Sequence, residues 1–316
     1  MICKLYRLPG WRKSCLGAMT NMYDQAANLR RIVQQTQPTA VSGKRETRQA
    51  RVIAVTSGKG GVGKTNLTVN LALALSELGQ KVVVIDADLG MANVDVLLGT
   101  TPKYTLVQLL DADVPIQEIL LEGPGGIRFL PGASGLYRLA NLEAGRCQYL
   151  LEQVALLDEW ADYILLDTGA GIGQTVLQFV LAADEIVLVT TPEPTALTDA
   201  YGMLKTYLAH QGSARIHVII NRALDEAEGF SVLRKFSLAC ERFLTIRLEH
   251  LGIVCDDRQV LQAVRQQVPF FLAYPNGVAT QNLRHIAAQL QQEKVMLSQK
   301  GARGFFRKFL DMMMWR

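Results

Sequence analysis

From Arg51 onward, short apolar runs rich in β-branched residues alternate with segments of helical periodicity. Runs without polar interruption indicate strands buried on both faces, as in parallel sheets. Strands are predicted at 52–55, 81–85, 127–130, 163–166, 185–189, 216–220 and 250–254. Helices are predicted between them, at 64–78, 142–159, 174–182 and 195–209. The alternation predicts an α/β fold, in which a doubly wound, mostly parallel sheet has helices on both faces and binds ligands at the carboxyl ends of its strands.

One domain, at residues 51–292, accounts for this alternation, and shorter segments at 1–50 and 293–316 flank it. Both flanks are basic. Residues 1–51 have a local charge of +8 and residues 294–316 one of +5, which leaves about −9 for the body of a chain with a net charge of +4. A protein that coats DNA would place its basic surface on the folded body, so we expect no direct DNA binding. Basic ends suit an anionic membrane or an acidic partner, unless they are solvated charge runs.

Five scattered cysteines include no C-x-x-C pair and no Cys/His cluster. This pattern predicts reduced thiols in a cytoplasmic protein without a zinc or iron-sulfur site. No run approaches the roughly 20 apolar residues of a membrane-spanning helix, and the N-terminus lacks a signal-peptide pattern. Any membrane contact is therefore expected to be peripheral, through an amphipathic segment.

The segment 57–65, Ser-Gly-Lys-Gly-Gly-Val-Gly-Lys-Thr, follows a predicted strand and begins a predicted helix, which is the context of a phosphate-binding loop. Its glycines let backbone N–H groups surround phosphates, while Lys64 is expected to reach the β and γ phosphates and Thr65 to bind Mg²⁺. A glycine-rich turn without a ligand is the alternative. The predicted nucleotide-binding residues here are Gly58, Lys59, Gly60, Gly61, Val62, Gly63, Lys64, Thr65 and Asn66.

Three carboxylates follow predicted strands near this loop. Asp167 ends the strand at 163–166 and precedes Thr-Gly-Ala-Gly, which is a Walker B pattern, so we expect Asp167 to hold Mg²⁺ through water. Asp86 and Asp88 end the second strand, beside the phosphate loop. Either of these two could instead cap the following helix.

Taken together and in this order, the motifs resemble the deviant Walker A ATPases of the MinD/ParA clan. The resemblance implies that Lys59 reaches across a dimer to the partner's phosphates, unless it is a solvent-facing lysine. It also implies that Asp88 orients the attacking water, while Asp86 supports Mg²⁺ and the neighbouring switch region. The implied catalytic residues are Lys59, Lys64 and Asp88, and the implied Mg²⁺ residues are Thr65, Asp86 and Asp167.

Base recognition is expected near Asn221 and Arg222, which resemble the adenine contact of the same clan, and near Glu193 in the segment 191–195. A guanine-specific Asn-Lys-x-Asp loop would need an acid at position 224, where Leu224 stands. ATP is therefore the expected nucleotide, with Mg²⁺ as its cofactor.

The row Asp-Ala-Asp-Leu-Gly-Met-Ala-Asn-Val-Asp at 86–95 narrows the resemblance to the flagellar-number regulators called FlhG, FleN or YlxH. The N-terminal row at 24–30 is similar to the segment through which that family stimulates the GTPase FlhF. The implied partners are FlhF, the flagellar switch complex and, in some lineages, a flagellar transcription activator. The implied partner-binding residues are Asp24, Gln25, Leu29 and Arg30.

The last fourteen residues separate by chemistry at the helical period, with aromatic and aliphatic residues on one arc and cations opposite. Such a helix suits an anionic membrane surface. Docking of this helix on the body of the protein is the alternative. The predicted membrane-facing residues are Phe305, Phe306, Phe309, Leu310 and Met313.

The expected function is an ATP-dependent dimerising switch that controls flagellum number and placement. It would cycle between a cytosolic monomer and an ATP-bound dimer at the inner face of the cell membrane, with slow ATP hydrolysis unless a partner stimulates it. A MinD-type regulator of the division site and a ParA-like DNA-partitioning ATPase are the alternatives. An iron-sulfur carrier of the same clan would need paired cysteines, which this sequence lacks.

Overall fold

A computed structural model of the chain describes residues 49–88, 94–99, 101–131, 143–292 and 300–314. The predicted partner-binding residues lie outside these ranges, namely Asp24, Gln25, Leu29 and Arg30.

Eight strands form a single sheet in the order β3-β4-β2-β5-β1-β6-β7-β8. The strands are β1 (Arg51–Ser57), β2 (Val82–Ala87), β3 (Leu121–Glu122), β4 (Arg128–Leu130), β5 (Tyr163–Ala170), β6 (Glu185–Thr190), β7 (Arg215–Ala223) and β8 (Glu249–Cys255). Only the pairing of β3 with β4 is antiparallel among the described strands, and all seven predicted strands are confirmed. The two-residue edge strand β3 was not predicted, because it is too short to show a pattern.

Helices cover both faces of this sheet, as predicted. They are α1 (Lys64–Glu77), α2 (Val94–Leu98), α3 (Leu106–Asp111), α4 (Ile116–Ile119), α5 (Ala144–Trp160), α6 (Gln174–Ala182), α7 (Pro194–Ala209), α8 (Glu226–Leu244), α9 (Arg258–Arg265), α10 (Phe270–Ala273), α11 (Val278–Gln292) and α12 (Gly301–Met314). One apolar layer packs α1, α10 and α11 on the sheet, and the other packs α3 to α8 and α12 on the opposite face. Within β1, Val52 and Ala54 belong to the second layer and Ile53 and Val55 to the first, as the two-residue period of a strand requires.

A buried ionic network joins four strands at the edge opposite the phosphate loop. Both carboxylate oxygens of Glu185 accept hydrogen bonds from Arg51, at 2.8 and 2.7 Å, and Oε2 also lies 2.8 Å from His217 Nε2. Arg51 Nη1 donates to Tyr163 Oη and to the carbonyl of Leu290 at the end of α11. Burial alone would raise the pKa of Glu185, but the hydrogen bonds from His217 and Arg51 lower it to about 2. The network therefore favours the ionised carboxylate, as expected of a buried charge that is paired.

The C-terminal helix α12 docks on the body of the protein, which is the alternative that the sequence left open, and contact of this helix with a membrane stays a prediction. It packs against α5 and α6. The ring of Phe309 stacks on Phe179 of α6 with centroids 4.3 Å apart, and Phe305 stacks on the same ring at 6.4 Å. The predicted membrane-facing side chains are fully or partly buried here, namely Phe305, Phe306, Phe309, Leu310 and Met313.

The amphipathic pattern was correctly identified, but it does not specify which apolar environment the helix uses. A groove between two helices and the interior of a lipid headgroup region both favour the same separation of side chains. In this structure, the described residues at 300–314 belong to the same compact unit as the rest of the domain. Within the described ranges, no helix has the length and apolar character needed to cross a bilayer.

Candidate functional site

The phosphate loop lies between β1 and α1, and its glycines have no room for side chains at two positions. A Cβ on Gly58 would lie 2.1 Å from the carbonyl carbon of Asp199, so the loop presses directly on the backbone of α7. Gly63 has φ of +91°, and a Cβ there would lie 2.6 Å from Asn221 Nδ2. The left-handed conformation at Gly63 directs the first turn of α1 toward the loop. Both contacts fix the path of the loop before any nucleotide binds.

A cavity of about 520 Å³ opens at the carboxyl ends of the strands, where an open α/β sheet binds its ligands. It is lined by Ser57, Gly60, Gly61, Gly63, Lys64, Thr65, Asn66, Asp88, Leu97, Ala170, Arg222, Val264 and Gln267. The structure thus brings together eight of the predicted site residues, which come from three separate stretches of sequence, at 60–66, 88 and 222. A volume of this size accommodates a nucleotide.

Lys64 and Asp167 form a buried ion pair at the base of the cavity. Lys64 Nζ donates to Asp167 Oδ1 at 3.0 Å, and these side chains are 8% and 0% exposed. Thr68 Oγ1 donates to the same oxygen at 3.2 Å. Asp167 Oδ2 is buried and has no hydrogen-bond partner among the described residues. A buried oxygen in this state would suit a hydrogen bond from a water ligand of Mg²⁺. Thr65 lies at the cavity wall, and the roles of both residues toward Mg²⁺ stay predictions.

Asp86 and Asp88 occupy different positions beside this pair. Asp88 lines the cavity, and its Oδ1 would be 3.6 Å from a Cβ on Gly169, so its carboxylate lies next to the Walker B loop. Asp86 is buried, and its two oxygens accept backbone hydrogen bonds from Asp88 at 3.1 Å and Val94 at 3.3 Å. This geometry suits Asp86 for organising the loop that follows β2. Its role toward Mg²⁺ stays a prediction.

Lys59 lies at the rim of the site, with 39% of its side chain exposed. Its Nζ donates to Glu193 Oε2 at 3.1 Å and to Thr195 Oγ1 at 2.9 Å. In the single chain, the loop lysine is therefore held at the edge of the site by residues at the start of α7. Glu193 is at this rim and is not one of the cavity-lining residues.

Asn221 and Arg222 differ in position: Asn221 contacts the phosphate loop, and Arg222 lines the cavity. Asn221 is buried, and its Nδ2 donates to the carbonyl of Val62 at 2.7 Å, so this amide nitrogen braces the phosphate loop. Arg222 has φ of +58° and lines the cavity. The left-handed backbone turns its side chain toward the nucleotide side of the sheet edge. An adenine contact stays a prediction for both residues.

Five cavity residues were not predicted, namely Ser57, Leu97, Ala170, Val264 and Gln267. Two of these could have been found, since Ser57 belongs to the loop motif and Ala170 follows the Walker B carboxylate. Gly171 N donates to the carbonyl of Ser57 at 2.8 Å, which joins the two motifs directly. The other three reach the cavity only through tertiary packing.

Comparisons with known proteins agree with this geometry. A family model described as ParA, NUBPL iron-transfer P-loop NTPase, matches residues 48–291. The chain is 40% identical over 256 residues to the antiactivator FleN of Pseudomonas aeruginosa, covering 81% of this chain and 91% of that protein. It is 32% identical over 296 residues to the flagellum site-determining protein YlxH of Helicobacter pylori, covering 92% and 99%. Among solved structures, the septum site-determining protein MinD of Pyrococcus horikoshii, complexed with Mg-ADP, matches with a TM-score of 0.60 and 27% identity, covering 77% of this chain and 96% of that one.

Proposed function

Because the chain belongs to the ParA family of P-loop NTPases, and within it to the group of FleN and YlxH, we propose that it is an ATP-driven switch that controls flagellum number and placement. The flagellar role rests on the likeness to FleN and YlxH. The observation that most directly supports the use of a nucleotide is the cavity that joins the phosphate loop to Asp88, with Lys59 partly exposed at its rim. In the proposed dimer, the nucleotide pocket lies within one chain, and Lys59 would leave Glu193 and Thr195 to act on the nucleotide of a second chain.

Hydrolysis of ATP would depend on a small set of residues. Lys64 moves from Asp167 to the β and γ phosphates, because a triphosphate offers more negative charge than one carboxylate. Asp88 accepts a hydrogen bond from the attacking water and directs it at the γ phosphate. Thr65 and Asp167 would hold Mg²⁺, which would supply positive charge to the phosphates. Lys59 stabilises the charge on a second chain's phosphates.

Dimerisation of two ATP-bound chains is supported by an apolar stripe beside the cavity. Leu261, Val264 and Val268 have 57%, 37% and 36% of their surface exposed, at and just beyond α9. Val264 also lines the nucleotide cavity, so the stripe continues from the site onto the surface. Exposed apolar surface bordering an incomplete site suits a second copy of the same chain. Lys59 is at the rim of the same cavity, where it could leave Glu193 for that copy.

Membrane association through α12 is part of the proposal, and it requires this helix to leave its groove. The helix α6 connects the groove to the nucleotide site, because it begins at Gln174, shortly after Ala170, the last residue of β5, which lines the cavity. Further along α6, Phe179 forms the wall against which Phe309 stacks. A nucleotide-driven shift of α6 would therefore change the fit of α12. Released helices on a dimer would reach an anionic membrane together, which increases their binding by avidity.

We place the nucleotide-free chain in the cytoplasm and the ATP-bound dimer at the inner membrane surface. FlhF, the flagellar switch complex and a flagellar transcription activator are the proposed partners, with FlhF meeting the segment around Asp24 to Arg30. A division-site regulator is the second candidate, supported by the likeness to MinD of Pyrococcus horikoshii.

Deletion of the gene in its native host separates these candidates. Cells would be complemented with the wild-type chain, with Lys59→Ala, or with a control that replaces the exposed α7 lysine, Lys205→Ala. We expect extra or misplaced flagella in the deletion and in Lys59→Ala, and normal flagella with Lys205→Ala, counted by electron microscopy. Normal flagella together with minicells would contradict the flagellar proposal and favour division-site regulation.

A further inference from the structure

Two half-buried carboxylates, neither of them part of the nucleotide site, each accept hydrogen bonds from two distant parts of the chain. Asp158 Oδ1 accepts hydrogen bonds from the backbone N–H of Ala50 at 3.1 Å and of Ala302 at 2.8 Å. Asp184 Oδ2 accepts from the N–H of Val52 at 3.3 Å, and its Oδ1 from the N–H of Lys300 at 3.3 Å. Both acids therefore connect the start of β1 to the start of α12.

The remaining contacts of these acids strengthen the same connection. Asp158 Oδ2 also accepts from the N–H of Arg303, at 3.4 Å. Gly301 has φ of +66°, and a Cβ there would lie 2.6 Å from Asp158 Oδ1. The backbone thus passes directly over the carboxylate at the first residue of α12. A carboxylate in this position receives the unpaired N–H groups of the first helical turn and favours the positive end of the helix dipole.

Partial burial of both carboxylates makes these hydrogen bonds costly to lose. Desolvation raises the pKa of Asp158, and it raises that of Asp184 to about 6. Backbone N–H donors partly offset this desolvation at both acids. A half-buried carboxylate that loses one of its hydrogen-bond donors is therefore less well stabilised in its remaining position. The donors at the two chain segments consequently support each other through the shared acid.

We propose that Asp158 and Asp184 form a two-carboxylate clasp that couples the chain leading into β1 to the docking of α12. Displacement of either segment weakens the hydrogen bonds that hold the other segment to the shared carboxylates. This gives the proposed switch a second control, because a partner that pulls on residues preceding Ala50 loosens the C-terminal helix without touching it. Its use in the cell rests on the proposed function, whereas the coupling itself does not.

Hydrogen exchange measured by mass spectrometry on the full chain tests the coupling from one side. We expect Asp158→Ala to accelerate exchange of the α12 amides at least about tenfold, because two charge-assisted hydrogen bonds to that helix are lost. The control is Glu159→Ala, which removes the neighbouring exposed acid of α5 and should leave exchange in α12 unchanged. Asp158→Asn keeps an acceptor at the same place and should give a smaller acceleration.

The reverse direction distinguishes coupling from a merely local cap, because coupling free energies are reciprocal. Phe305→Ala, which loosens α12 from within its groove, should also accelerate exchange at the amides of Ala50 and Val52. Leu233→Ala removes a buried side chain of α8 and controls for general destabilisation. The proposal is overturned if α12 opens in Phe305→Ala while Ala50 and Val52 exchange as in wild type, or if Asp158→Ala leaves α12 unchanged. Neither measurement contains nucleotide, membrane or a flagellar partner, so both remain valid if the proposed function fails.

Discussion

The docking of α12 predicts that a change in the groove, rather than in the helix, will release it. Phe179 is 1% exposed and belongs to α6, and both Phe305 and Phe309 stack on its ring. Replacing a buried phenylalanine by alanine typically costs about 3–5 kcal/mol, and stacked aromatic pairs contribute about 0.5–1.5 kcal/mol of such a cost. The two stacked pairs with Phe305 and Phe309 account for about 1–3 kcal/mol of the docking free energy. Since about 1.4 kcal/mol corresponds to a factor of ten, Phe179→Ala should weaken docking by about one to two orders of magnitude while leaving the sequence of α12 intact.

Two assays measure this release. Trypsin should cleave at Arg303 and Arg307 of Phe179→Ala much faster than in wild type, and nucleotide-free protein should co-sediment with anionic vesicles. Phe236→Ala, on α8, removes a buried ring of the same core layer and controls for lost stability alone. The reasoning is refuted if Phe179→Ala lowers the free energy of unfolding by less than about 1 kcal/mol. It is also refuted if α12 resists trypsin as well as it does in wild type.

Three further predictions concern the site and the ionic network. Gly58→Ala should lower the melting temperature and abolish ATP binding, because the new Cβ would overlap the backbone at Asp199. Gly60→Ala is the control, since a Cβ there would have no atom closer than 3.9 Å, and it should leave the melting temperature nearly unchanged. Asn221→Ala should weaken ATP binding, measured by titration calorimetry, without unfolding the protein, because it removes the hydrogen bond from Asn221 to Val62 of the phosphate loop. An unchanged ATP affinity would refute that role of Asn221. The pKa of Glu185 is about 2 instead of its usual 4.5, so its stabilisation is complete above pH 4.5 and is lost as the pH falls toward 2. Urea unfolding at pH 5 and pH 2 should show that wild type loses about 3 kcal/mol more than Glu185→Gln over this range, and equal losses would contradict the paired, ionised state.

The fold and the centre of the site could be predicted from sequence because both follow from local patterns. Uninterrupted apolar runs specify buried parallel strands, and the glycines and Lys64 of the loop are adjacent in sequence. The brace from Asn221 to Val62 and the presence of Gln267 in the cavity depend on packing between distant segments, so no local pattern indicates them. The position of α12 shows the same limit. Its periodicity indicates one apolar face, but the matching groove is built from α5 and α6, more than a hundred residues away.

The most direct test of an ATP-driven switch is the mass of the protein in solution with and without Mg-ATP, measured by light scattering. Asp88→Ala should retain ATP unhydrolysed and accumulate as a dimer, whereas the nucleotide-free protein should be a monomer. Adding Lys59→Ala to Asp88→Ala should return the mass to that of a monomer, and adding Lys205→Ala should not. An Asp88→Ala protein that binds ATP but stays monomeric would contradict the switch, and a dimer that persists without Lys59 would contradict the role of that lysine.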